Sequence, residues 1–129
     1  MTTQPTPAAI WAGRIASALM LLVLVADGAI DLFAPDMMRA EIERTGWTVA
    51  ASPMLGAIVL ISALLYAIPR TKVLGAILIT GFFGGAIATH VRLGEGLSPP
   101  VLVSIVVGVL TWGGLWLRDV RMRALLPLS

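Results

Sequence analysis

The stretch 68-IPRTKVLGAILITGFFGGAIATHVRLGEG-96 decides the fold. Near its start, Pro69-Arg70-Thr71-Lys72 form a tight basic link that helices do not cross. From Val73 to Leu93 the chain is apolar, with ionisable residues only at His90 and Arg92. A helix of that length rises about 30 Å, the thickness of a bilayer's hydrocarbon core. Gly75, Gly81, Gly84, Gly85, Ala86 and Ala88 make this span rich in small residues. Gly81 and Gly85 form a GxxxG pair, which predicts that a neighbouring helix packs closely here.

Reading outward, the same pattern repeats. Residues 49–68 form an apolar run before the link, so the two spans predict an antiparallel hairpin. Residues 10–33 form an earlier, longer run that would rise about 36 Å. A basic Arg14 before an apolar run is also a signal-peptide pattern, but no small-x-small site follows, and a retained span is expected. Residues 100–117 form a fourth span, with Ser98 and Pro99 as its expected start. Between the first two spans, 36-DMMRAEIERT-45 is charged and helix-forming, with Arg39 and Glu43 one turn apart. Met38 and Ile42 make an apolar stripe on it, Gly46 is an expected stop, and Trp47 an interfacial anchor. This segment predicts a short amphipathic helix of about residues 36–45 at the membrane surface. Residues 1–9 are expected to be a flexible tail, and 118–129 a basic one.

Composition agrees. Of 129 residues, 58% are hydrophobic and 12% charged, the latter about half the usual share. Mean hydropathy is +0.95. A soluble domain of this length has no core large enough to hide so much apolar surface. The formal charge is only +2 and its basic residues are scattered, which argues against nucleic acid as a partner. The expected fold is all-α: an antiparallel four-helix transmembrane bundle with an outer interfacial helix. Arg14, Arg70, Lys72, Arg118, Arg121 and Arg123 fall on the side of both termini, and Arg39, Arg44 and Arg92 on the other. The basic excess predicts both termini in the cytoplasm.

The stretch 68–96, with 115-LWLRDVRMRALLP-127, resembles the DoxX-like family of small four-helix membrane proteins. The Pro-Arg hairpin, the glycine-rich third span ending in GGAIATHVR and the Leu-Arg-Asp after the fourth span carry the resemblance. In the first span the family tends to have a Gly-x-x-Lys-type pattern, where this chain has Asp27-Gly28-Ala29-Ile30-Asp31. The resemblance implies a four-helix bundle in a bacterial inner membrane. It also implies a link to quinone-coupled oxidoreductase systems, with quinone as the cofactor and a soluble redox protein as partner.

With no cysteine and one histidine, the chain has no thiolate chemistry, iron–sulfur cluster or bis-histidine haem of its own. Its candidate chemistry lies in Asp27, Asp31, His90 and Arg92. Asp27 lies about 18 Å along the first span from Ile15, and His90 about 25 Å along the third from Val73. Both spans run the same way, so the two residues reach comparable depth. Asp27 and Asp31 share a face one turn apart. A carboxylate in the hydrocarbon costs about 2.5–3.5 kcal/mol and seeks a partner. An Asp27–His90 pair would make an acid/base couple, because histidine titrates near neutrality and a carboxylate sets its tautomer. The same pair is also readable as a polar contact that sets helix register, and Asp31 and Arg92 as interfacial residues. Two aspartates and one histidine are a weak ligand set, and no metal is assigned. Asp31, Arg92 and Trp112 are the candidates for bordering a pocket for a lipophilic molecule.

Three functions remain open. The first is a quinone-binding or anchoring subunit of a membrane oxidoreductase system. The second is a cofactor-free acid/base enzyme using Asp27 and His90 on a lipophilic substrate. The third is a structural protein that associates with lipid, a second copy of itself or another membrane chain through its glycine face.

Overall fold

The computed structural model describes residues 4–125. Four long helices, each apolar enough to cross a membrane, form an antiparallel bundle with no strand among the described residues. Helix α1 is Pro7–Phe33, α3 is Ser52–Ala67 after a short 3-10 turn at Val49–Ala51, α4 is Lys72–Arg92 and α5 is Pro99–Arg118. Two six-residue helices complete the chain, α2 at Arg39–Arg44 and α6 at Val120–Leu125. The protein is therefore a multi-pass membrane protein, and its outward-facing leucines, isoleucines and valines meet lipid.

Helix α1 packs against α3 and α5, and α4 packs against the same two, so α1 and α4 stand at opposite corners. The bundle has a terminal end, where residues 4 and 125 lie, and a distal end, where α2 covers the helix tips. The core runs through the middle and terminal half. Met20, Leu24, Val59, Tyr66, Ile79 and Leu115 are each almost fully buried there.

Two sequence expectations need correction. Residues 1–9 were expected to be a tail, yet α1 begins at Pro7. Thr6 caps it by accepting a 3.1 Å hydrogen bond from the Ala9 N–H, and Pro7 suits the first turn. Within the other expected tail, Arg118 still belongs to α5 and 120–125 form α6; residues 1–3 and 126–129 lie outside the described residues.

The second correction concerns the glycines. A Cβ on Gly81, Gly84 or Gly85 would meet nothing within 4 Å, so no helix among the described residues packs closely on this face. Close approach occurs elsewhere. A Cβ on Gly13 would stand 2.6 Å from the Gly114 carbonyl oxygen, which joins α1 to α5. A Cβ on Gly56 would stand 2.7 Å from the Gly28 carbonyl oxygen, which joins α3 to α1. At the hairpin, a Cβ on Gly75 would stand 2.6 Å from the Tyr66 Cα.

A hydroxyl chain ties three helices at the same level. Tyr66 Oη donates to the Thr111 carbonyl at 2.8 Å, so Ser17 Oγ donates to Tyr66 Oη at 2.9 Å. A buried tyrosine is tolerated here because its polar tip is satisfied. Below it, Lys72 pairs with Asp119 and joins the start of α4 to the end of α5. Burial alone would raise the Asp119 carboxyl, but the Lys72 ammonium and the Arg121 N–H hold it below its ordinary value.

Candidate distal cavity

The distal end holds a partly open cavity of about 390 Å³, bounded by α1, α3, α4 and the α2 cap. Its walls are mostly apolar: Met38, Ile42, Trp47, Leu55 and Phe82. The space exists because α4 presents Gly81 and Gly85, one turn apart, where other helices present side chains. The small residues read as a packing face are a cavity wall.

Four ionisable side chains line this apolar space. Asp27 and Asp31 come from the last two turns of α1, Glu41 from the cap and His90 from the last turn of α4. The two aspartates and the histidine singled out from sequence are thus brought around one cavity. Asp27 and His90 make no hydrogen bond with each other. Asp27 has neither a hydrogen bond nor an ion pair among the described residues. Ser52 Oγ donates to the Asp31 carbonyl at 3.1 Å, which fixes the end of α1 against the start of α3.

The partner of His90 is Glu95, which the sequence reading did not single out. His90 Nδ1 lies 2.5 Å from Glu95 Oε2. The local fold explains why. Helix α4 ends with Leu93 as its last helical neighbour and Gly94 at φ +77°. The Glu95 N–H bonds the His90 carbonyl at 3.2 Å, and the Gly94 N–H bonds the Val91 carbonyl at 2.9 Å. This is a Schellman termination, which folds the chain back and sets Glu95 over the last turn. A glycine four residues after the histidine and a glutamate at five were the available signal. Glu95 also pairs with Arg44 of the cap, and Arg44 pairs with Glu41.

The cap ends in the same way. Gly46 has φ +89°, the Trp47 N–H bonds the Ile42 carbonyl at 3.2 Å and the Gly46 N–H bonds the Glu43 carbonyl at 3.1 Å. That turn brings Trp47 back beside Ile42 on the cavity wall.

Arg92 and Trp112 do not line the cavity. Arg92 donates from Nη2 to the Thr45 carbonyl at 2.8 Å and so clamps the end of the cap. Trp112 donates from Nε1 to Thr80 Oγ1 at 2.8 Å. It lies about 20 Å along α5 from Pro99, toward the terminal end, so it belongs to a different level from Asp31. Among the described residues no group of three or more acidic or histidine side chains converges as a metal site would.

Chemically, the cavity offers an apolar enclosure with two aspartate carboxyl groups one turn apart, Asp27 having no hydrogen bond or ion pair among the described residues, and one imidazole oriented through Nδ1. Its volume falls in the range of small-molecule sites, about 300–1,000 Å³. The model of the DoxX-like family matches residues 15–114, from the third turn of α1 to the last turn and a half of α5. No curated protein and no solved structure matches the chain.

Proposed function

The chain belongs to the DoxX-like family, and from that premise we propose that its distal cavity binds a lipophilic molecule with a hydrogen-bonding head, of the quinone class. In this reading it is the membrane subunit of a quinone-linked oxidoreductase system in a bacterial inner membrane, with both termini cytoplasmic. The observation that carries it is the apolar 390 Å³ cavity with Asp27 and His90 on its walls. A bound quinone supplies two-electron, two-proton chemistry at its ring oxygens. The protein's part is to hold the ring among Trp47, Phe82 and Leu55 and to exchange protons. Asp27 suits proton exchange because no other described residue bonds or pairs with its carboxyl group. His90 is held through Nδ1 by Glu95, which leaves Nε2 for an oxygen of the ligand. Electrons would arrive from a soluble redox protein, since the described residues include no thiolate or second histidine for an electron carrier. Basic residues at the terminal end suit such a partner.

Trp47 provides the test. A short-chain quinone titrated into the detergent-solubilised protein should quench tryptophan emission saturably. Trp47→Phe should remove most of the saturable part, because Trp11, Trp112 and Trp116 do not line the cavity. Asp27→Asn and His90→Ala should weaken the binding. Quenching that never saturates, or that persists unchanged in Trp47→Phe, would remove the quinone reading.

One observation favours a second reading. An imidazole with one nitrogen on a carboxylate and the other free is the arrangement of a general base. On this reading Asp27 and His90 perform acid/base chemistry on a lipophilic substrate without a cofactor. Mass spectrometry of the lipophile retained through mild purification separates the two. A quinone supports the first, and a different single compound the second. Bulk phospholipid alone would leave only a scaffold role for the glycine wall.

A further inference from the structure

A second polar cavity, of about 190 Å³, lies near the terminal end between α1, α3 and α5. Arg14 of α1 and Arg118 of α5 both line it, with Ser17 and Tyr66. The close approach at Gly13 creates the pairing, since a Cβ there would stand 3.1 Å from the Arg118 Cβ. Neither guanidinium has a carboxylate partner among the described residues. The acid next to Arg118 in sequence, Asp119, is held by Lys72 and Arg121 instead. Arg14 rests on the Trp11 ring at 5.5 Å and Arg118 on the Tyr66 ring at 5.8 Å. Such stacking uses the face of the guanidinium and leaves its N–H edge for a ligand. Arg118 Nε is buried and has no hydrogen-bond partner. A buried donor left unpaired is costly, and this one has two hydroxyl neighbours that do not answer it. Ser17 donates to Tyr66 and Tyr66 to the Thr111 carbonyl, and neither hydroxyl oxygen accepts from Arg118 Nε.

The cavity therefore offers positive donors at one end. Its other wall, Ala18 and Leu21, is apolar and continues along α1 into exposed Leu22 and Val25. Cationic donors near the helix ends, followed by apolar surface toward the bilayer centre, match the profile of a phospholipid. Two cations with no acid favour a headgroup of net negative charge. We propose that Arg14 and Arg118 hold the phosphate of an anionic phospholipid, with an acyl chain lying along Ala18 and Leu21 on α1. The site is separate from the distal cavity and does not depend on what binds there.

The test is native mass spectrometry of the full chain, delipidated in mild detergent and titrated with phosphatidylglycerol or phosphatidylcholine. One phosphatidylglycerol should survive activation that strips phosphatidylcholine. Arg14→Gln with Arg118→Gln should lower its retention about tenfold. Arg14→Gln alone should lower it too, and Arg14 is exposed enough that folding is not at stake. Arg70→Gln with Arg121→Gln removes the same charge from exposed residues at the same end and should leave retention unchanged. Equal loss in that control pair, or equal retention of the two lipids, would overturn the proposal. Inorganic phosphate is the remaining arm. Protection against thermal unfolding by phosphate alone, equal to that by the lipid, would make this a free-anion site and would also overturn it.

Discussion

Replacing Gly75 with alanine and replacing Gly85 with alanine should change stability in opposite directions. Both glycines lie inside α4, and the substitutions are chemically identical. At Gly75 the new methyl group would stand 2.6 Å from the Tyr66 Cα and 2.9 Å from the Leu65 carbonyl carbon. Comfortable carbon contacts lie at about 3.5–4.0 Å. The obstructing atoms are backbone, so no rotamer change relieves the clash, and α3 and α4 must separate by about 1 Å. Overpacking of this kind costs about 1–3 kcal/mol. At Gly85 the methyl group meets nothing within 4 Å. There the helix keeps its packing and gains about 0.5–1 kcal/mol from the lower conformational freedom of alanine. The two variants should differ by roughly 1.5–4 kcal/mol. Reversible unfolding in mixed micelles, followed by circular dichroism as sodium dodecyl sulfate is added, reads this directly. Equal destabilisation of both variants would mean that α4 packs through its GxxxG face after all. Gly85→Leu extends the same logic: it should fold, fill the cavity and abolish saturable quinone quenching.

Other outcomes follow from single contacts. Tyr66→Phe removes the hydroxyl that links Ser17 to the Thr111 carbonyl and should destabilise the bundle by about 1–3 kcal/mol in the same unfolding assay. Arg92→Ala frees the Thr45 carbonyl from its clamp, so amides of residues 39–46 should exchange with deuterium about tenfold faster while the long helices keep their protection. Acid should also weaken the terminal end. Asp119 has a folded pKa below its ordinary 3.8, so its contribution is complete well above 3.8 and is lost as pH falls through the lower folded value. The unfolding midpoint of the wild type should therefore drop below pH 4, and Asp119→Asn should lack that part of the drop.

The four spans were legible because each is a long apolar run bounded by charge or proline, and bilayer thickness leaves little choice of length. The ends of the helices were legible where glycine stands at a reversal. Gly46 was read as a stop and has positive φ at the close of α2. Gly94 carries the same signal, yet its consequence for Glu95 was missed, since the reading followed depth along the helices. Depth put Asp27 and His90 at one level, and they do share a cavity. It could not foresee a partner supplied by the turn itself, five residues on. Trp112 was grouped with Asp31 and Arg92 although α5 runs back toward the termini, which removes it by about 20 Å.

The glycines show why a packing motif is ambiguous in a small bundle. GxxxG spacing says only that one stripe of a helix is smooth. A smooth stripe admits a neighbouring backbone if one is near and leaves a void if none is. Here α1 and α4 occupy opposite corners, and the helices flanking α4 turn other faces toward it. The stripe at Gly81 and Gly85 is thus left facing the open end of the bundle beneath the cap. The contacts that do need glycine join residues on different helices: Gly13 with Gly114, Gly28 with Gly56, and Gly75 with Tyr66. No spacing within one helix announces such pairs. They follow from where the helices cross, and once those crossings draw α1 toward α3 and α5, the glycine stripe of α4 is the place where space remains.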